Sequence, residues 1–405
     1  MVSKKSSMFS QLIAGYLLVI ATSGFARLAY GVLMPSMQED LAINYAQAGF
    51  LATIISLGFL VISTLIAVLA QKFAIKKIVL AGGFLVTVCL FLLSFAKSYY
   101  FVMLIMFLLG AGSSLAFAPL MSLMVIQFAN KKGLVLGILL SGVGSGMLLS
   151  GIITTNLRDY FPSLGWRDIW TIFGTISLIV TLLSLFVLKE AENKTNTKNN
   201  QNQSISKAFK NVKIIRIGII YFLVGVGYLI PVLFQSSFMI NSGFSEKIAG
   251  NVFALSGLSI IVGSPVFGMI SDRIGRKNSL LITSILCMIA GILPVLNHHL
   301  IAFVAASILF PFSLGGFLVL IQSMAAERVS PSLVPAVLGY VSVFYSIGQL
   351  IGPSLAGAVI EKFGGIQSAY ILASCIFLGT LIITSFVKEN EKEEVLAVQT
   401  NPLSG

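Results

Sequence analysis

Twelve apolar runs follow one another along this chain, near residues 10–34, 45–70, 78–96, 99–125, 134–156, 166–188, 214–239, 247–270, 278–296, 300–324, 336–359 and 368–387. A helix needs roughly 20 apolar residues to cross a hydrocarbon core about 30 Å thick, and each run is about that long. The expected fold is an all-α membrane protein of twelve transmembrane helices. With 57% of its 405 residues hydrophobic and only 10% charged, the chain keeps little from which to build a water-soluble domain, so its function is expected inside the membrane. The first run is too long for a cleavable signal peptide and no small-residue cleavage site closes it, so it is expected to stay as the first span.

A net charge of +12 on a soluble surface would suggest nucleic acid, but the distribution of the charge removes that reading. With both ends placed inside, twenty of the 26 Lys and Arg fall in the inner segments, and the outer loops hold only Lys97, Arg158, Arg167, Lys247 and Lys362. Cytoplasmic loops retain Lys and Arg. The expectation is a multi-pass protein of the cell (cytoplasmic) membrane, both termini cytoplasmic, with no nucleic-acid partner. Cys89, Cys287 and Cys375 fall within spans at no metal-ligand spacing and read as small apolar residues of a packed interior, so no disulfide, metal or cofactor is expected.

The long polar stretch in the middle of the chain, KEAENKTNTKNNQNQSISKAFKNVK at 189–213, divides it into six spans and six. The expected organisation is an N-terminal bundle 1–188, the linker 189–213, a C-terminal bundle 214–387 and a tail 388–405. Internal similarity supports the division. NYAQAG (44–49) before the second span matches SEKIAG (245–250) before the eighth, each opening with a good N-cap residue. AVLAQKFAIK (67–76) is a worn copy of GMISDRIGRK (268–277), and GVGSGMLLSG (142–151) matches GQLIGPSLAG (348–357). Such duplicated units characterise secondary transporters, whose substrate sites lie at the repeat interface near the bilayer midplane.

GMISDRIGRK resembles the loop motif Gly-x-x-x-Asp-Arg-x-Gly-Arg-Lys of the major facilitator superfamily, in the place that superfamily uses between its eighth and ninth helices. GQLIGPSLAG resembles its Gly-Pro helix motif, and the Gly165-Trp166-Arg167 that opens the sixth span is also similar to it. More narrowly, GFARLAYGVLMPSMQEDL, YAQAGFLAT and GVGYLIP resemble the YbfB/YjiJ-like bacterial group. The resemblance spans the whole chain. It implies two pseudo-symmetric six-helix bundles, the major facilitator fold, that rock about a central cleft.

A short turn with one acid among bases is suited to bridging helix ends. Asp272 is expected to accept hydrogen bonds at a neighbouring helix N-terminus, while Arg273 and Arg276 reach acidic or phosphate groups around Gly275, a latch that opens when the halves rock apart. In the first-half copy Gln71, Ala74 and Ile75 replace the acid, the glycine and a base, which weakens that latch. Gly348, Gly352 and Pro353 are expected at packing and hinge positions, since glycine lets membrane helices approach closely.

Arg27 lies inside the first span, about eight residues or roughly 12 Å from Pro35 at 1.5 Å per residue. An arginine near a helix centre costs about 2.5 to 3.5 kcal/mol on insertion scales, and all fourteen acids lie in loops, tails or helix ends. A cation facing the cleft without an internal carboxylate suggests that the counterion is the cargo. Ser23 and Tyr30 share its helical stripe. Tyr221, Tyr228 and Gln235 repeat every seven residues in the seventh span, and Ser342, Tyr345 and Gln349 form a stripe on the eleventh. Ser23, Tyr30, Tyr228, Gln235, Tyr345 and Gln349 are therefore expected to bind substrate with Arg27, whose fork grips a carboxylate with two parallel hydrogen bonds.

The expected function is secondary active transport of a small organic anion, carboxylate-like, by rocker-switch alternating access. The alternative is a hydrophobic drug or metabolite efflux pump of the same superfamily, which would favour an acid in the membrane. Many members of the superfamily carry an arginine in the fourth helix that is Met106 here, which argues against proton antiport and leaves the coupling ion, H+ included, open. No nucleophile and base stand at usable spacing, so no enzyme is expected, and the protein is expected to be a monomer.

Overall fold

The computed structural model describes residues 2–128, 132–190, 210–329 and 333–387. Most of the linker 189–213 and all of the tail 388–405 lie outside the described residues. Among the described residues twelve helices are long and apolar enough to cross a membrane. The first, α1, is built in three pieces: α-helical Val2–Val19, π-helical Ile20–Leu28 and α-helical Ala29–Leu41. There follow α2 (Tyr45–Lys72), α3 (Ile75–Ser94), α4 (Tyr99–Gln127), α5 (Lys132–Tyr160) and α6 (Trp166–Val187). The second half holds α7 (Val212–Asn241), α8 (Glu246–Ile274), α9 (Arg276–Leu296), α10 (Leu300–Ala326), α11 (Val334–Phe363) and α12 (Gln367–Ser385).

Local chemistry sets the helix ends. Asn44 accepts from the Gln47 amide at 2.8 Å while the Gln47 side chain accepts from the Asn44 amide at 2.9 Å, a full capping box that starts α2. Ser245 caps α8 in the equivalent place through the Ile248 amide. The first span runs past Pro35 to Leu41, because neighbouring helices re-satisfy backbone groups that a proline frees inside a membrane bundle. It ends where Ala42 turns left-handed at φ 49°. Gly275, at φ +87°, makes the one-residue turn between α8 and α9, a conformation that a side chain resists.

The duplication read from the sequence is visible in the packing. In the first half α1 packs on α5 and α6, α2 on α4, and α3 on α4 and α6. The second half repeats each pairing: α7 on α11 and α12, α8 on α10, α9 on α10 and α12. The halves meet along α2–α11, α5–α8 and α1–α7. Arg167 ties the first half together at the start of α6: it pairs with Asp40 at 2.8 Å, donates to the Ala96 carbonyl at 2.7 Å and stacks over Trp166. Cys89 and Cys287 are buried as expected, whereas Cys375 is exposed on α12.

The seam between halves is tight at the end of the bundle away from the chain termini, called here the far end. A Cβ on Gly151 of α5 would stand 2.6 Å from the Gly250 carbonyl oxygen of α8, and one on Gly144 would stand 2.6 Å from that of Gly257. Seven residues further toward the termini, on the same face of α5, a Cβ on Gly137 would meet nothing within 4 Å, and the same holds for Gly268 of α8. These two helices touch at the far end and diverge toward the termini. Polar contacts agree: Arg158 pairs with Glu246 at 2.6 Å, Lys247 with Asp159 at 2.7 Å, the Tyr45 amide donates to Glu361 at 2.8 Å and Asn241 donates to the Tyr45 hydroxyl at 2.9 Å. The far end is closed.

Candidate functional site

Arg27 sits within the π-helical piece of α1, where the Ala29 amide bonds to the Gly24 carbonyl five residues back. Single π turns recur at functional sites because they widen a helix and re-aim its side chains. Gly24 lies directly against Gly146 of α5, so close that a Cβ on either would overlap the other backbone. That contact holds the π-helical piece in the first half and leaves Arg27 half-buried on the seam.

The partners of Arg27 are neutral. Its Nη2 donates to Gln349 Oε1 on α11, in the other half, at 3.3 Å, and its guanidinium lies over the Phe59 ring of α2 at 4.3 Å. Among the described residues no carboxylate lies within ion-pair distance of it. Arginine has only donors to offer, so Gln349 turns its oxygen toward the guanidinium and its nitrogen away, donating to the Tyr228 hydroxyl at 2.7 Å. Tyr228 stacks on Tyr345 with ring centroids 5.5 Å apart, and Tyr345 stacks on Tyr221 at 4.5 Å. Gln322 of α10 extends the chain to the Tyr221 hydroxyl at 3.4 Å. A cation thus stands at one end of a run of neutral amides and phenols. Cation–π contact and one neutral acceptor stabilise the guanidinium without cancelling its charge.

Glycines bring the second-half members of this run together. A Cβ on Gly225 of α7 would overlap the Tyr345 carbonyl, one on Gly348 the Phe222 carbonyl, and one on Gly352 the Val226 carbonyl. This close approach of α7 and α11 sets Tyr228, Tyr345 and Gln349 side by side. Pro353 serves the seam instead, its backbone lying against Gly49 of α2. A cavity of about 30 Å³ adjoins Arg27, lined also by Tyr30, Ser56 and Tyr228, enough for a single water.

Of the residues expected to bind substrate, Arg27, Tyr228, Tyr345 and Gln349 are brought together, Tyr30 shares only the wall of the cavity beside Arg27, and Ser23 and Gln235 are placed elsewhere. Tyr30 is fully buried and donates to the Ala48 carbonyl of α2 at 3.0 Å. Ser23 is buried in α1 before the arginine. Gln235 accepts from Ser256 of α8 at 3.2 Å and lines a small gap inside the second half with Tyr370 and Phe303. Of the expected residues of the α8–α9 turn, Arg276 and Asp272 make contacts within the second half. Arg276 pairs with Asp272 at 2.8 Å and with Glu327 at the end of α10 at 3.1 Å, and bonds the Ser271 hydroxyl, while Arg273 is exposed. In this conformation the cluster joins α8, α9 and α10. Among the described residues Asp272 is held by the Arg276 side chain. Phe59, Gln322 and the four charges of the far end were not singled out by the sequence.

Known proteins place this geometry. The nucleoside transporter NupG superposes over 95% of this chain and all of its own with a TM-score of 0.79 at 14% identity. A bacterial homologue of the human lysosomal transporter Spinster, in an inward-facing and unoccupied conformation, does so over 94% and 95% of the two chains with a TM-score of 0.70 at 15% identity. Among curated relatives, the agnestins efflux protein AgnL12 of Paecilomyces divaricatus is 24% identical, covering 92% of this chain and 85% of its own. Monocarboxylate transporter 12-B of Danio rerio is 21% identical over 95% and 89%. An uncharacterized protein of Campylobacter jejuni is 31% identical over 63% and 80%. Fold and relatives together define a multi-pass transporter of the major facilitator superfamily, not an enzyme. The chain belongs to the family described as uncharacterised MFS-type transporter YbfB, which matches residues 19–384.

Proposed function

We propose that this protein is a secondary active transporter that moves a small, carboxylate-like organic anion across the cytoplasmic membrane by rocker-switch alternating access. The observation that carries the reading is Arg27, a permanent cation on the seam between the halves whose partners are Gln349 and the Phe59 ring. A carboxylate arriving there gains a charge-assisted, two-pronged hydrogen bond. Tyr228 and Tyr345 supply hydroxyls for the rest of the cargo. Curated relatives named as monocarboxylate transporters support the anion class.

The halves that rock are 1–188 and 214–387, joined by 189–213, with the tail 388–405 and both termini in the cytoplasm and the protein acting as a monomer. The far end is then the outer end, and the diverging α5 and α8 open Arg27 to the cytoplasm. Cargo neutralises Arg27, the halves re-pack along α5–α8 and α2–α11, and the outer ion pairs part. In that conformation the Asp272 turn meets the first half as a latch.

The efflux reading has the fungal relative AgnL12 in its favour. Counterflow in proteoliposomes separates the two, using labelled lactate, pyruvate and succinate beside a lipophilic cation, for the native chain and for Arg27→Gln. The proposal expects carboxylate counterflow that Arg27→Gln abolishes. Counterflow of the cation alone, or undiminished anion counterflow by Arg27→Gln, overturns it.

A further inference from the structure

Beneath the far-end ion pairs lies a chamber of about 240 Å³ between the halves. Pro35 and Ser36 of α1, Thr154 and Arg158 of α5, Ser236 of α7 and Glu246 of α8 are among its walls. Two observations mark it as more than a packing gap. The hydroxyls of Thr154 and Ser236 are buried, the residues 3% and 1% exposed, and find no hydrogen-bond partner among the described residues. Buried polar groups are nearly always paired, so these two mark the chamber wall as incompletely satisfied while the far end is closed. Arg158, in turn, divides its guanidinium between the halves: it donates to Ser36 Oγ at 2.8 Å in its own half and pairs with Glu246 at 2.6 Å in the other. The volume is below the roughly 300 Å³ at which sites for drug-sized ligands begin, and suits a small acid.

Glu246 is a carboxylate carried on the half that moves away when this end opens. We propose that Arg158 is a second anion-binding station, occupied by Glu246 while the far end is closed and by the carboxylate of the cargo while it is open. The inference rests on the organic-anion reading above. One carboxylate replaces another on the same fork, so Arg158 is never left as an unpaired charge. Ser36, which steadies Arg158, lies nine residues from Arg27, or roughly 13 Å along the helix at 1.5 Å per residue. The two arginines make successive stations along α1. Loading and closing exclude each other, because a cargo carboxylate on Arg158 bars Glu246. The far end shuts once the cargo has moved on to Arg27. The neighbouring Asp159–Lys247 pair, at 2.7 Å, parts in the same motion.

Thiol labelling tests this. Ile240, which lines the chamber, is replaced in Ile240→Cys within a Cys375→Ser background. Its labelling by a membrane-impermeant maleimide is followed in proteoliposomes with lactate, pyruvate, succinate or chloride at equal ionic strength. Arg158→Gln and Glu246→Gln both remove the clamp, and both are expected to speed labelling several-fold. Carboxylates, but not chloride, are expected to slow labelling in Glu246→Gln, and this protection is lost in Arg158→Gln. Equal protection in both variants, or none in Glu246→Gln, overturns the station. Carboxylate counterflow by the native chain is measured alongside: its presence with no protection of Ile240→Cys in Glu246→Gln refutes the station alone, and its absence for every acid refutes the anion reading as well.

Discussion

Gln349→Glu places a carboxylate where the amide oxygen now meets Arg27 and changes almost nothing in shape. At the observed 3.3 Å, two unit charges attract by about 1.3 kcal/mol at the dielectric of water and about 5 kcal/mol at an effective value near 20. Arg27 is half-buried, so the pair falls between those limits. A cargo carboxylate would have to displace this internal partner, and each 1.4 kcal/mol is a factor of ten. The expected result in proteoliposome counterflow is a KM for carboxylate raised about tenfold or more, together with a higher Tm of the purified protein. Gln349→Leu, which adds no charge, should raise KM far less and lower the Tm. The reasoning is refuted if Gln349→Glu stabilises the protein and transports its anion with an unchanged KM, because Arg27 would then be a helix-positioning residue whose charge the cargo never meets.

Other outcomes follow from the same contacts. Tyr30→Phe deletes a buried hydrogen bond to Ala48 and should cost about 0.5–1.5 kcal/mol of stability while leaving the carboxylate KM alone; a large rise in KM would return Tyr30 to the binding site. Gly348→Ala forces a Cβ against the Phe222 carbonyl and moves α11 from α7, an overpacking cost of roughly 1–3 kcal/mol, so thermal unfolding should come earlier and carboxylate binding weaken together. At the α8–α9 turn, Arg276→Ala removes contacts to Asp272, Ser271 and Glu327, whereas Asp272→Asn weakens one exposed pair at a cost below about 0.5 kcal/mol. Equal losses of Tm in these two variants would contradict the bridging role of Arg276.

Much of this fold is legible in the sequence because hydropathy and duplication are global signals: the twelve spans, the capping residues Asn44 and Ser245 and the repeated pairings all follow from them. Arg27 is legible for a similar reason, as a charge among apolar residues. Side-chain direction is harder to read. The stripe through Ser23, Arg27 and Tyr30 assumes 3.6 residues per turn, but the piece Ile20–Leu28 is bonded i to i+5 and places more residues in each turn. Residues after it are therefore rotated, and Tyr30 faces α2. The heptad Tyr221, Tyr228, Gln235 drifts about 20° per seven residues on a straight helix, and it crosses Pro231 on the way, so Gln235 ends inside the second half. Phe59 carried no signal, being one apolar residue in an apolar run. The clamp between Arg158-Asp159 and Glu246-Lys247 joins helix ends 88 residues apart, a pairing that charge pattern alone leaves unassigned.

Discrimination between an acid and its amide tests the central claim most directly. Binding of lactate and of lactamide, which differ in charge and little in shape, is compared on the purified protein in nanodiscs with and without Arg27→Gln. A charged hydrogen-bonded contact contributes about 1.5–3 kcal/mol. The native protein should therefore favour lactate by tenfold or more, and Arg27→Gln should erase that preference. An equal preference for the acid in both proteins would contradict the account.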